Sequence, residues 1–417
     1  MIRYYFKQAF QILKENPFVN TISILGTALS IAMIIVLILV FQINNAGYAP
    51  ESYRSRMLFI NDIEANSQDR QARGGMSVSV VKECFYTLNT PEAVTAISKG
   101  KQPVSLPSKR LFKEYKIAYT DPGCWKVFNF KFIHGVPFTE TDFQSGIQRA
   151  VISSDLAQTL FGSTDATGKT ILINYIPYTV SGVVKIVSKA ATHAHADVWL
   201  PYTTVPLLLE SNPRDGMTGG FKVILLAPEE KHFNEIRSEL VQQVARYNAG
   251  KDEYKLQLME NPLDQTDIAM GSNSYRKITI REYLLNAGSI LLFLLLIPAL
   301  NLVGVVQSSI QRRKAEVGVR KAFGATTDVM IKQFLYENLL ITCLGGILGF
   351  ALSFILLLVC KSFLLTENTF LSLDMLLKPG VFIGVLLAVL ILNLLSAGIP
   401  AVRIAQKQIV DALKEND

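Results

Sequence analysis

Charge is scarce in this chain of 417 residues, with Asp, Glu, Lys and Arg making up 18%, against about 25% in a typical soluble domain. Hydrophobic residues reach 50%, so the deficit points to a membrane protein. A disordered chain, rich in charge and poor in aromatics, is excluded. Only four cysteines and 26 glycines occur, which excludes disulfide-scaffold and collagen-like classes. No Ser-His-Asp or Cys-His arrangement and no paired carboxylates stand out, so the chain reads as non-enzymatic by itself. The net charge of +7 does not indicate nucleic acid, because the basic residues flank apolar runs.

Those runs are the dominant feature. A bilayer-spanning helix needs about 20 apolar residues. Four stretches qualify: 19–43, 284–306, 338–360 and 379–402. The first exceeds the roughly 7–15 residues of a signal h-region and reads as an uncleaved anchor. Lys and Arg accumulate at cytoplasmic ends. Arg3, Lys7 and Lys14 precede the first span. Arg312, Arg313, Lys314, Arg320, Lys321 and Lys332 lie between spans two and three, and Arg403, Lys407 and Lys414 follow the fourth. The loop 361–378 instead sets Lys378 against Glu367 and Asp374. Both termini and the 307–337 loop are therefore expected in the cytoplasm, with 44–282 outside. The expected fold class is a membrane protein of four transmembrane α-helices, with a large α+β extracytoplasmic (periplasmic) domain between helices 1 and 2.

Within the outside segment, Lys169–Ile173, Tyr178–Val187 and Phe221–Leu226 read as strands. Asp155–Phe161 and Lys231–Tyr247 read as helices, and Glu64–Gly75 as a loop. Residues 276–283 continue a helix-compatible pattern into span two, and Pro298 is expected to bend that span. Residues 1–18 form a basic amphipathic helix on the inner membrane face, with Ile2, Tyr5, Phe6, Ala9, Phe10 and Leu13 on one stripe. The tail is 403–417.

Several motifs fall short of a site. Gly162 and Gly168-Lys169-Thr170 approximate a phosphate loop, but five residues separate the glycines where four are required. A strand pattern follows in place of a helix N-terminus, so this is a turn into a strand. His193, His195 and Asp197 alternate and would share one strand face, yet a metal needs a further ligand and a second shell; no metal site is assigned. Cys84 and Cys124, 40 residues apart in the outside segment, could form a disulfide or remain buried thiols. In the third span, Gly345, Gly346 and Gly349 allow close helix packing. No charge interrupts a span core, which argues against an ion pathway.

The loop 307–337 carries the clearest pattern. Arg320 and Lys321 sit near the end of a short helix, Gly324 suits its C′ position, and Thr326 or Thr327 caps the next helix. The string Arg313-x-x-Glu316-Val-Gly318-Val-Arg320-Lys321-Ala322-Phe-Gly324-Ala-Thr326, followed by Gln333-Phe-Leu-Tyr-Glu337, resembles the hallmark of FtsX/MacB-type ABC transporter permeases. Outside the membrane, Phe128 through Gly135-Val-Pro137-Phe138 and Val151-Ile-Ser153 resemble that family's periplasmic core domain. Tyr178 through Gly182-Val-Val184 and Asp197-Val-Trp-Leu-Pro201 extend the likeness, with Val136 standing where an Arg is usual.

The resemblance implies a permease subunit of the mechanotransmission type in a bacterial inner membrane, exporting periplasmic substrates. Lipoprotein release and wall-hydrolase regulation are alternatives within the family. A membrane-anchored sensor or scaffold without an ATPase is the alternative of another class. Implied partners are a cytoplasmic ABC ATPase, which would hold the ATP on a separate chain, and a second permease copy or paralogue. A periplasmic adaptor, an outer-membrane duct and membrane lipid complete the set, with no nucleic acid and no cofactor on this chain. Glu316, Gly318, Arg320, Lys321 and Gly324 would lie at the ATPase contact.

Overall fold

The computed structural model describes residues 17–107, 113–189, 191–210, 212–312, 327–359 and 379–405. The chain divides into two compact units. A helical unit comprises residues 1–43 with 281–417, and a sheet unit comprises Asn44–Ile280.

The helical unit contains α1 (Pro17–Asn45), α4 (Ile280–Arg312), α5 (Thr327–Val359) and α6 (Pro379–Ala405). Each forms where the chain offers a long run without charge, since a backbone surrounded by lipid must satisfy its own hydrogen bonds. Among the described residues, three helices are long and apolar enough to cross a membrane. The fourth expected span lies in α6, a helix of 27 residues whose described apolar portion, Pro379–Ile391, is shorter than a crossing. Helix α4 begins at Ile280, so the expected continuation from residue 276 fails at its start. Asn273 instead closes a turn, its Oδ1 accepting from the amides of Tyr275 and Arg276 at 2.9 Å each. Helix α4 continues through Pro298 as one element.

In the helical unit's core, Ile31, Ile34, Ile35 and Leu39 of α1 pack with Leu294 of α4 and with Val385 and Val389 of α6. The opposite stripe of α1 carries Phe18, Ile22, Leu25, Leu29, Met33 and Leu37, all exposed. This is the face that lipid would solvate.

The sheet unit is built on a ten-stranded mixed sheet with the order β14-β1-β12-β4-β5-β10-β7-β9-β6, and β8 joins β4 and β9. These strands are β1 (Met57–Ile60), β4 (Ala93–Ser105), β5 (Lys113–Thr120), β6 (Phe132–Gly135), β7 (Arg149–Ser153), β8 (Thr170–Ile173), β9 (Ile176–Val184), β10 (Val198–Pro201), β12 (Lys222–Leu226) and β14 (Leu263–Asp264). Both faces are covered, so the central strands are buried on alternate sides. On one face Leu58, Ile60, Val223 and Leu225 meet α3 (Phe233–Ala249) through Ile236 and Leu240. On the other, Met57, Phe59, Ile224 and Leu226 join Phe128, Phe138 and Trp199. Helix α2 (Ser154–Phe161) starts at Ser153, whose side chain accepts from Leu156, and ends at Gly162 in the left-handed region.

The expected loop over 64–75 is a hairpin. Strands β2 (Ile63–Asn66) and β3 (Gln71–Met76) pair antiparallel, within a second sheet ordered β11-β3-β2-β13. Here β11 is Thr218–Gly219 and β13 is Lys255–Gln257. The sequence Gln-Ala-Arg-Gly-Gly-Met has no strand alternation because partners on both sides, not side-chain burial, hold β3. Close backbone approach also requires Gly75: a Cβ there would lie 2.6 Å from the Phe221 carbonyl oxygen.

Candidate functional site

The glycines of the third span form a seam within the helical unit. A Cβ on Gly345 would lie 2.9 Å from Cβ of Thr27, and one on Gly349 would lie 2.7 Å from the Ala28 carbonyl oxygen. Both contacts are with α1, which meets the glycines with Thr27 and with the backbone of Ile24 and Ala28; Thr27 and Ala28 are buried. Lipid supplies no hydrophobic drive between helices, so this small-on-small contact gains its energy from close packing. Gly346 faces elsewhere: its Cβ would meet Cδ1 of Leu386 on α6 at 2.5 Å. A polar bond joins α6 to α5, from Asn393 Nδ2 to Thr342 Oγ1 at 2.9 Å. Thr342 in turn donates to the Asn338 carbonyl. Neither Asn393 nor Thr342 was singled out from sequence; a lone Asn inside an apolar run was the available signal.

The five residues expected at the ATPase contact, Glu316, Gly318, Arg320, Lys321 and Gly324, lie outside the described residues. Their neighbour in the chain is described: α5 starts at Thr327, directly after the motif.

In the sheet unit, the first residues after α1 form a buried polar clamp. Glu51 and Arg54 are 0% and 3% exposed and pair at 2.6 Å. Arg54 also donates to the Ala46 carbonyl and lies 4.4 Å over the Tyr48 ring. The other Glu51 oxygen, Oε1, accepts from the amides of His193 and Ala194, both at 2.8 Å. This charge is therefore fully paired and hydrogen-bonded, the condition for burying it. The clamp joins the chain just beyond α1 to the loop before β10. Sequence reading missed it, since Glu51 and Arg54 look like ordinary loop charges.

The alternating His193, His195 and Asp197 do not share a strand face, because β10 begins only at Val198. The His193 ring stacks on Phe59 at 4.3 Å, His195 Nδ1 meets the Val187 carbonyl, and Asp197 accepts from the Lys116 amide. Desolvation pushes His193 down to about 4. Cys84 and Cys124 are free and buried on opposite faces of the large sheet. Burial raises both thiols, Cys84 to about 12, so they behave as packing groups. Gly168, at a φ of 79°, makes a turn into β8. Behind β4, Asp121 is buried, accepting from Tyr86 Oη and the Ala96 amide at 2.6 Å each, and desolvation raises it to about 6.

Two family models match successive parts of the chain, the first beginning within α1. The MacB-like periplasmic core domain matches residues 21–243, and the FtsX-like permease C-terminal domain matches residues 288–409. The chain belongs to the MacB/FtsX-like ABC transporter permease family. It is a membrane protein of that family, with a large MacB-like α+β domain between apolar helices. It is 26% identical to the ABC transporter permease YknZ of Bacillus subtilis, over 65% of this chain and 66% of that one. It is 24% identical to the macrolide export ATP-binding/permease protein MacB of Wolinella succinogenes, over 82% of this chain and 51% of that one. A further permease of Bacillus subtilis, YvrN, is 22% identical over 97% and 98% of the two chains. The matched region thus spans 51% to 66% of the first two of these relatives.

In this chain the glycine seam packs a helix of the second matched region, α5, against α1, which lies in the first. Helix α5 emerges from the motif-bearing loop, and α1 leads into the core domain at Asn44.

Proposed function

We propose that this permease works by mechanotransmission in the inner membrane, with both termini cytoplasmic. ATP binding and hydrolysis on a separate cytoplasmic ABC ATPase drive its outside domain, for export of substrates held outside the membrane. The observation that carries this reading is the seam of Gly345 and Gly349 against Thr27 and Ala28. A contact this close between α5 and α1 behaves as a rigid coupling, because a packed interface transmits strain instead of absorbing it. Motion imposed on the loop before α5 would reach α1 through the seam. It would then pass along α1 to the clamp of Glu51 and Arg54, at the entrance to the sheet unit. In this reading Glu316, Gly318, Arg320, Lys321 and Gly324 receive the motion from the ATPase. A second copy or a paralogue completes the pair, and an adaptor with an outer-membrane duct would carry substrate onward.

The test is purification of the tagged permease from mild detergent, wild type beside Glu316→Arg, with identification of the proteins that accompany it. A P-loop ATPase is expected with the wild type, and its permease-dependent ATP hydrolysis is expected to be lost with Glu316→Arg at normal membrane insertion. Recovery of no ATPase, or unchanged coupling in the variant, refutes the reading.

A further inference from the structure

The sheet unit contains a cleft of about 560 Å³ lined by Asp62, Lys99, His193, Lys222, Asn273 and Ser274, among others. Its floor is one end of the large sheet. There the face that carries Ile97, Ala118 and Ile224 in the core changes character along each strand. Two residues beyond Ile97 on β4 stands Lys99, and two before Ile224 on β12 stands Lys222. Register places Lys222 across from Ile97 and Lys99 across from Ala118. The two lysines therefore project from the same face of adjacent strands. The patch continues outside the cleft, where Lys101 and Lys116 are cross-strand partners. Like charges opposite each other on a sheet are destabilising unless something compensates them.

The protein supplies little compensation. None of these four lysines makes a salt bridge among the described residues. The nearby Glu51 is already committed to Arg54 and two amides. Glu114 lies on β5, two residues before Lys116.

The walls are held in place. On one side, Lys99 Nζ donates to the carbonyls of Thr192 and His195 at 2.7 and 3.0 Å. Glu51 fixes the same loop through His193 and Ala194, and Trp199 Nε1 donates to the Ala194 carbonyl. Opposite, buried Ser274 accepts from the Asp62 amide at 3.2 Å, and Asn273 closes its own turn. The Asp62 carboxylate and the Lys222 ammonium make no side-chain hydrogen bond or ion pair among the described residues. A cleft of fixed walls with uncommitted charges is a binding site in the making, since preorganisation lowers the cost of holding a ligand.

We infer that this cleft binds a small anionic ligand bearing carboxylate or phosphate groups, held by Lys99 and Lys222, with its hydrogen-bond donors turned toward Asp62 and Asn61. Two positive groups against one carboxylate set the sign. The amides and hydroxyls of the walls suit a polar ligand, and only Ile97 and Ile224 offer it apolar contact. The inference stands on the sheet unit alone and does not depend on an ATPase partner.

The experiment is amine acylation of the full-length protein in detergent, read lysine by lysine by mass spectrometry. Succinate and inorganic phosphate serve as probes, with chloride at matched ionic strength as the reference. Either probe is expected to slow labelling of Lys99 and Lys222 saturably, leaving Lys169 and Lys231 unchanged. In Lys222→Gln, which alters an exposed side chain, the concentration needed to protect Lys99 is expected to rise about tenfold, the effect of losing one charge-assisted contact. Equal slowing at every lysine, slowing by chloride alone, or none with either probe overturns the inference. So does Lys99 protection that Lys222→Gln leaves intact.

Discussion

Alanine placed at each glycine of the third span should rank the three positions against their apparent crowding. The shortest distance belongs to Gly346, whose Cβ would lie 2.5 Å from Leu386 Cδ1. That atom ends a flexible side chain and can rotate away. The next shortest belongs to Gly349, at 2.7 Å from the backbone oxygen of Ala28, with Ile31 Cβ at 2.9 Å. A backbone atom moves only if the helix moves. Ordinary Cβ contacts begin at 3.4 Å, so α1 and α5 must separate by up to about 0.7 Å at that point. Overpacking of this kind costs about 1–3 kcal/mol. Gly345→Ala should cost somewhat less than Gly349→Ala, because its closest neighbours are Thr27 side-chain atoms, with the Ile24 oxygen at 3.2 Å. The double variant should cost less than the sum, since one separation of the helices relieves both clashes. The assay is the thermal midpoint of the purified protein in detergent, beside ATPase coupling in the reconstituted complex. Gly349→Ala should lower both, while Gly346→Ala stays near wild type. A destabilised Gly346→Ala beside an unchanged Gly349→Ala would refute the assignment of the seam to α1.

The sheet unit yields two more expectations. Glu51→Ala strands the buried Arg54 guanidinium and two amides, a loss of about 3–5 kcal/mol; an unchanged melting midpoint would contradict the clamp. Asp121 and His193 should oppose each other in pH dependence. The folded pKa of Asp121 is raised from 3.8 to about 6, so its contribution is full below 3.8 and is lost as pH rises through 6, about 3 kcal/mol in all. That of His193 is lowered from 6.5 to about 4. Its contribution is full above 6.5 and is lost as pH falls toward 4, by about 2 kcal/mol once solvent screening of a half-buried ring is allowed for. Between pH 4 and 6 the wild type should therefore vary little. Asp121→Asn should gain stability as pH rises through that window, and His193→Gln should lose it. Parallel profiles for the two variants would show that the shifts are assigned to the wrong groups.

Three of the four expected spans were legible in the sequence because the requirement they meet is one-dimensional. A helix in lipid needs a long run without charge, and such a run is visible whatever its neighbours are. The motif around Glu316 and Arg320 was legible for a related reason, since its glycines and charges are contiguous. Helices and strands with local signals were also readable: Ser153 and Gly162 bracket α2, and β9 follows a β-branched run.

What the sequence could not decide was which distant residues meet. Nothing in Gln71–Met76 marks a strand, because its partners on either side lie elsewhere in the chain. Cys84 and Cys124 could have been bonded by spacing alone, and it is the sheet between them that keeps them apart. Glu51 and Arg54 are unremarkable as loop residues until the His193 loop closes over them. The three glycines predicted close packing, but only the placement of α1 and α6 tells that Gly345 and Gly349 share one partner while Gly346 faces another. Local chemistry sets what each segment can be. The register of strands and the rotation of helices set which charges are left without a partner, and those are decided only when the chain is folded.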